Sequence, residues 1–237
     1  MKKIMWGISF FSLIGTAAVI RFMPESIPMH YDLAGNIDRW GSRNESLIFP
    51  IIILIMSLHW HLFILYFEKK ALKAKDEKES AAAESNAKVL GIVGISMAAM
   101  FTVMNGFMLY SSYTEAMIGA EKQTMDIGKV SVFLTGIVLI VVGNFMTKTR
   151  NNGAVGFRIS WSMYNDNTWR KSNRFAAVAL MAAGVMTILS SVFAKSAAGA
   201  TVLEIVYICL AAVVSTVYAH KVYVEEKRSE EKKEGEV

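Results

Sequence analysis

The sequence predicts an all-α membrane protein with six transmembrane helices and an extracytoplasmic, hairpin-like loop between the first two. Three observations predict it. Hydrophobic residues make up 54% of the 237 and charged residues 19%, with a mean hydropathy of +0.37. The apolar residues fall into six blocks, 4–22, 47–67, 89–110, 128–146, 175–194 and 201–220, each close to the roughly 20 residues needed to cross a bilayer as a helix. Only helices and closed barrels satisfy their backbone groups in lipid, and these lengths suit helices. Between the first two blocks lies MPESIPMHYDLAGNIDRWGSR, a polar, turn-rich stretch longer than a simple reversal requires.

Taken in order, block 4–22 follows Lys2 and Lys3 but has no small-x-small cleavage site before the polar loop, so it is expected to be a retained span. In the loop 23–46, Pro24 and Pro28 exclude an ordinary helix. Ala34-Gly35-Asn36 suits a tight reversal, with His30-Tyr31-Asp32 and Ile37-Asp38-Arg39-Trp40 pairing across it. Residues 1–67 therefore form an N-terminal two-span unit. The linker 68–88 mixes Lys, Glu and Ala without Gly or Pro and is expected to extend the flanking helices into the cytoplasm. Residues 89–223 form a four-span unit with a signature loop at 147–174. In that loop Asp166 or Asn167 is placed to cap the fifth helix. The tail 224–237 is nearly all charged or small and is expected to be disordered.

Orientation follows from the basic residues. With a cytoplasmic N-terminus, nineteen of the 25 Lys and Arg residues fall in cytoplasmic segments and six elsewhere, as the positive-inside rule requires. Both termini are then cytoplasmic. The net charge of +5 reflects this topology and is no sign of nucleic-acid binding.

The loops carry the chemistry. Trp161, Tyr164, Trp169 and Arg158 in the inner loop suit interfacial anchoring, while Asn151-Asn152-Gly153 and Gly156-Phe157-Arg158 leave room for a binding or gating role. Arg158 suits a lipid phosphate, the carbonyls ending span four, or a cytosolic partner, and a structural role is expected. His59 and His61 lie two apart, roughly 200° around a helix, and cannot share a metal. His30 has Asp32 and Asp38 as potential partners. Asn105, Asn144 and Glu204 are expected to bond between helices. The single Cys209 excludes an intramolecular disulfide. No nucleotide loop or nucleophile motif is visible, so catalysis, a cofactor and a metal are not expected.

Both loops resemble one family. Ile27, Pro28, His30, Gly35, Asp38, Trp40, Gly41 and Ser42 are similar to the N-terminal extracytoplasmic domain found in the SdpI (Sdp immunity) family of bacterial membrane proteins. Gly143-Asn144, Asn151, Gly156-Phe157-Arg158, Trp161 and Trp169-Arg170-Lys171 are similar to its second signature. The chain departs from the pattern at Arg158-Ile159-Ser160-Trp161, where the family has Arg-Thr-Pro-Trp, and at Asn173, where it tends to have His.

The resemblance implies a plasma-membrane immunity protein, not an enzyme, that binds a secreted toxic peptide of the SdpC type. His30, Tyr31, Asp32, Asp38, Arg39, Trp40 and Arg43 would form the peptide site, with Tyr31 and Trp40 as its apolar contacts. Asn144, Asn151, Gly156, Arg158, Trp161 and Trp169 would hold the inner loop or signal through it. Membrane lipids and a cytosolic regulator are the other partners implied. The alternatives are a sensor that recruits a soluble transcriptional regulator and a small transporter or membrane enzyme.

Overall fold

Backbone groups that cannot reach water must bond within their own segment, and the chain does this with six long helices. The structure is a computed structural model and describes residues 1–32, 34–149 and 155–235. In order, the elements are α1 (Lys2–Val19), β1 (Ser26–Tyr31), β2 (Ile37–Ser42), α2 (Ile48–Leu72), α3 (Glu77–Ile118), α4 (Ile127–Met146), α5 (Asp166–Phe193) and α6 (Ala197–Gly235). Each helix contains a segment long and apolar enough to cross a membrane, which makes this a multi-pass membrane protein. Two three-helix groups, α1–α3 and α4–α6, join where α3 packs on α4. Both termini lie at one end, called here the terminal end; the strands lie at the other, the hairpin end.

Small polar side chains tie the first group together. Ser9 and Ser57 share a buried hydroxyl bond of 2.7 Å between α1 and α2. Trp6 Nε1 donates to His61 Nδ1 at 3.1 Å, and Asn105 Nδ2 donates to Thr16 Oγ1 at 2.8 Å. Such bonds contribute about 1 kcal/mol each in a membrane. His59 is exposed and lies against Phe63, so it and His61 do point to different faces. The expectation for Asn105 is met, but not those for Asn144 and Glu204. Asn144 is exposed, and neither side chain makes a hydrogen bond among the described residues. In the second group, α4 and α5 approach through Gly136 and Gly184, where a Cβ on either glycine would lie within 2.8 Å of the other's carbonyl oxygen.

Two boundaries differ from the sequence reading. The cap of α5 is Asn165, whose Oδ1 accepts from the backbone N–H groups of Asn167 and Thr168, while Thr168 Oγ1 accepts from Asn165 N. The cap therefore falls one residue before Asp166. The tail is not disordered along its length: α6 continues to Gly235. Its charged extension is tethered, since Asn165 and Asn167 donate to Glu226, and Tyr164 donates to Glu230 at 2.7 Å. Charge composition alone does not reveal those partners.

Candidate functional site at the hairpin end

Strands β1 and β2 pair antiparallel, with Ile27 opposite Gly41, Pro28 opposite Trp40 and Tyr31 opposite Ile37. The reversal depends on Asp32. Its Oδ1 accepts from the backbone of Ala34 and Asn36 at 2.8 Å each, and Oδ2 accepts from Asn36 Nδ2 at 2.6 Å. Gly35 supplies the positive φ of 79° that this turn needs. Leu33 lies outside the described residues. The bonds from Asn36, side chain first and then backbone, hold the Asp32 carboxyl below the usual range.

A carboxyl depressed in this way stabilises the fold above its unfolded value of about 3.9, and that stability is lost as pH falls through the lower folded value. The turn is therefore expected to hold at neutral pH and to open only in acid. Trp40 fluorescence followed from pH 7 downward checks this. Asp32→Asn should flatten the acid transition, and an unchanged transition would place its cause elsewhere.

The hairpin is docked rather than free. Ile27 is buried with Ile20 and Met23, against Leu47, Leu109 and Ala116. Ile37 N donates to Glu121 O at 2.9 Å and Gln123 N to Gly35 O at 2.8 Å, so the α3–α4 connection lines the hairpin edge as a short third segment. Ser112 Oγ donates to Pro28 O, an acceptor that proline keeps although it lacks an N–H.

At the centre of this docking is Glu115, fully buried on the last turn of α3. Its Oε2 accepts from Tyr31 OH at 2.6 Å. Its Oε1 accepts from Ser111 Oγ at 2.6 Å and from Thr124 N and Oγ1 at 2.7 and 3.1 Å. Burial first, and then the bond to Glu115, pushes the Tyr31 hydroxyl far above its ordinary value, so it remains a donor. Glu115 was not among the sequence candidates. Its sequence signal is weak: one acid among several in a polar loop, with Ser111 one turn earlier.

The remaining candidates separate into two groups. His30 Nδ1 lies 2.6 Å from Asp38 Oδ1, which selects Asp38 over Asp32 as its partner. Arg39 pairs with Glu45 at 3.0 Å, and Arg43 donates to Met23 O at 2.7 Å. Glu45 also accepts from Ser42 N, closing a Ser-x-x-Glu capping box at the entry to α2 that is legible in the sequence. Tyr31 turns its hydroxyl inward and Asp32 is consumed by the turn, so neither matches the surface role expected of it. Trp40 is 43% exposed.

His30, Tyr31 and Arg39 line a cavity of about 450 Å³ between the hairpin, α2 and α3; Asp32, Asp38, Trp40 and Arg43 do not. Met29, His30 and Tyr31 all reach this cavity because the strand register shifts on both sides of His30. A regular strand would alternate them between faces. The cavity has a polar rim of His30, Arg39, Glu45 and Ser46. Its lower wall is mostly apolar, with Phe49 and Ile52 from α2 and Met104 and Met108 from α3, and Asn105 beside them donates its amide to Thr16.

The second signature gathers at the terminal end. Trp169 is 2% exposed and donates from Nε1 to Thr149 O at 3.2 Å. Asn173, buried at 1%, donates to Met146 O and Thr149 Oγ1 and accepts from Phe157 N at 3.0 Å. The position that departs from the family pattern is thus the knot of the loop. Gly156, at φ 120°, lies so close to Trp169 and Asn173 that a Cβ would come within 2.7 Å of both. Trp161 meets His220 edge-on at 4.5 Å between ring centres. Arg158 is exposed and makes no hydrogen bond or ion pair among the described residues, so it caps none of their carbonyls, contrary to one structural role considered for it. Asn151 lies outside the described residues.

Comparison with known proteins agrees with this arrangement. The SdpI/YfhL protein family model matches residues 148–219, from the inner signature into α6. The model of a domain of unknown function, DUF1648, matches residues 7–54, which take in α1, the hairpin and the start of α2. The chain is similar to "Immunity protein SdpI" of Bacillus subtilis (strain 168), at 23% identity over 226 residues, covering 94% of this chain and 97% of that protein. No solved structure matches. Two family models matched in the expected order, SdpI/YfhL after DUF1648, and a relative similar along nearly the whole length agree with the resemblance of both loops to the SdpI family.

Proposed function

We propose that this protein protects a bacterial cell by binding a secreted toxic peptide, of the SdpC type, at the outer face of the plasma membrane. The cavity under the hairpin is the observation that carries this reading. Its polar rim and mostly apolar lower wall match an amphipathic segment entering the outer leaflet, polar side up. Trp40 on the exposed hairpin supplies an aromatic contact for first capture, and His30, Arg39 and Glu45 orient the ligand at the rim. The mechanism is binding and not catalysis: the His30–Asp38 pair is mostly in water, where it is an ordinary surface contact. The name of the Bacillus relative supports an immunity role.

Protection of a sensitive host against a producer of such a peptide tests the reading. Asp38→Ala with Trp40→Ala removes the partner of His30 and the exposed indole. An anchor worth about 2 kcal/mol corresponds to more than a tenfold loss of tolerated toxin. Ile52→Trp should fill the cavity and give a similar loss at normal abundance. Full protection by both variants would sink the binding reading. In the same assay Arg158→Ala distinguishes a sensor: its exposed guanidinium, without a partner among the described residues, favours contact with a cytosolic regulator. Retained protection with lost recruitment of that regulator would favour signalling.

The reading needs the hairpin outside and both termini in the cytoplasm, as the count of nineteen basic residues in the segments on the N-terminal side of the membrane favours. On a Cys209→Ala background, a Cys at Asn36 should react with an impermeant reagent in intact cells and one at Ser80 should not. The opposite pattern would invert the topology and end the proposal.

A further inference from the structure

At the terminal end, Arg170, Arg174 and Val178 form an exposed stripe on α5, each one helical turn from the next. With Thr147, Thr149 and the buried Asn173 they line a pocket of about 480 Å³. Its depth is set by the fold. Arg174 is the last charged residue before the uncharged run 175–194, and Thr147 follows the final residue of α4. The bond from Asn173 Nδ2 to Met146 O, 2.7 Å, holds these two points level. The pocket therefore straddles the edge of the hydrocarbon, where phospholipid phosphates lie.

Among the described residues, neither of its two arginines is held in an ion pair. Arg174 makes no hydrogen bond or ion pair among the described residues, and Arg170 has only a long 3.4 Å bond to Asn167 Oδ1. The nearby acid Asp166 is paired with Lys78 at 2.6 Å.

We infer that this pocket binds the phosphate of an anionic phospholipid. Two planar guanidinium forks one turn apart clamp the phosphodiester oxygens, and Val178 below them meets the start of an acyl chain. The site is separate from the proposed peptide cavity and does not depend on it.

Native mass spectrometry of the purified full chain tests the inference, using phosphatidylglycerol, phosphatidylcholine and inorganic phosphate as probes. Phosphatidylglycerol should be retained over phosphatidylcholine, and inorganic phosphate at equal concentration should not displace it. Arg170→Gln with Arg174→Gln should lower phosphatidylglycerol retention about tenfold. Unchanged retention, equal retention of the two lipids, or displacement by inorganic phosphate (a free-anion site) would each overturn the assignment. If the Gln pair does not elute like the wild type, Arg170→Lys with Arg174→Lys keeps the charge and removes the forks. Its retention should fall severalfold, and retention equal to wild type would again overturn the lipid clamp.

Discussion

Gly184→Leu is expected to abolish stable accumulation of the protein. A Cβ at Gly184 would sit 2.7 Å from Gly136 O and 2.9 Å from Ile140 Cγ1; one at Gly136 would sit 2.8 Å from Gly184 O. The obstruction is backbone, which cannot rotate aside as a flexible side chain can. Accommodation therefore requires α4 and α5 to separate, along the contact that unites the second helix group. Overpacking of this kind costs about 1–3 kcal/mol for small additions and more for a leucine.

Gly184→Ala should fall in that lower range, and Gly184→Leu should exceed it. Thermal unfolding in detergent, read by size-exclusion fluorescence, provides the measurement. Gly106→Ala is the internal control, because nothing lies within 4 Å of its Cβ position and helix propensity favours alanine by up to about 1 kcal/mol. Equal behaviour of Gly184→Ala and Gly106→Ala would show that the α4–α5 contact is looser than the geometry states.

The second large effect is expected at Glu115. Truncation to alanine leaves four donors without their acceptor: Tyr31 OH, Ser111 Oγ, and the backbone N–H and hydroxyl of Thr124. An unsatisfied buried polar group costs about 1–3 kcal/mol, so Glu115→Ala should cost on the order of 3 kcal/mol after partial relaxation. The hairpin should detach from α3, because Tyr31 is one of the ties between β1 and that helix. Glu115→Gln separates acceptor geometry from charge. Its carbonyl oxygen can keep the three bonds made by Oε1, and the Tyr31 hydroxyl can rotate to accept from the new amide. Glutamine should therefore recover most of the stability. Protease sensitivity of the hairpin in vesicles would report the difference. Equal protection of the alanine and wild-type proteins would show that the apolar cluster around Ile27 suffices for docking.

Much of the hairpin was legible because its determinants are local. Pro24 and Pro28 end helix formation, Asp32 and Gly35 build the turn, and Ile37 to Trp40 run back beside the first strand, all within a few residues. The inner signature was legible as a set of residues but not as a structure. Trp169 is a buried packing element, Trp161 lies against His220, and Asn173, which lacks the family's histidine, ties the loop through its amide. A residue's departure from a pattern says which chemistry is lost. It does not say what the replacement holds.

By itself the sequence determined six spans, the uneven distribution of basic residues and the position of the reversal. Hydropathy and turn chemistry act over one helix length or less, so these properties depend little on what packs where. The tertiary structure alone decided which side chains face inward. Tyr31 reaches Glu115 across 84 positions, the strand irregularity turns His30 and Tyr31 together onto one cavity, and Gly136 meets Gly184. Each of these depends on how docked elements satisfy buried polar groups and fill space at close range, and no local period in the chain records that outcome.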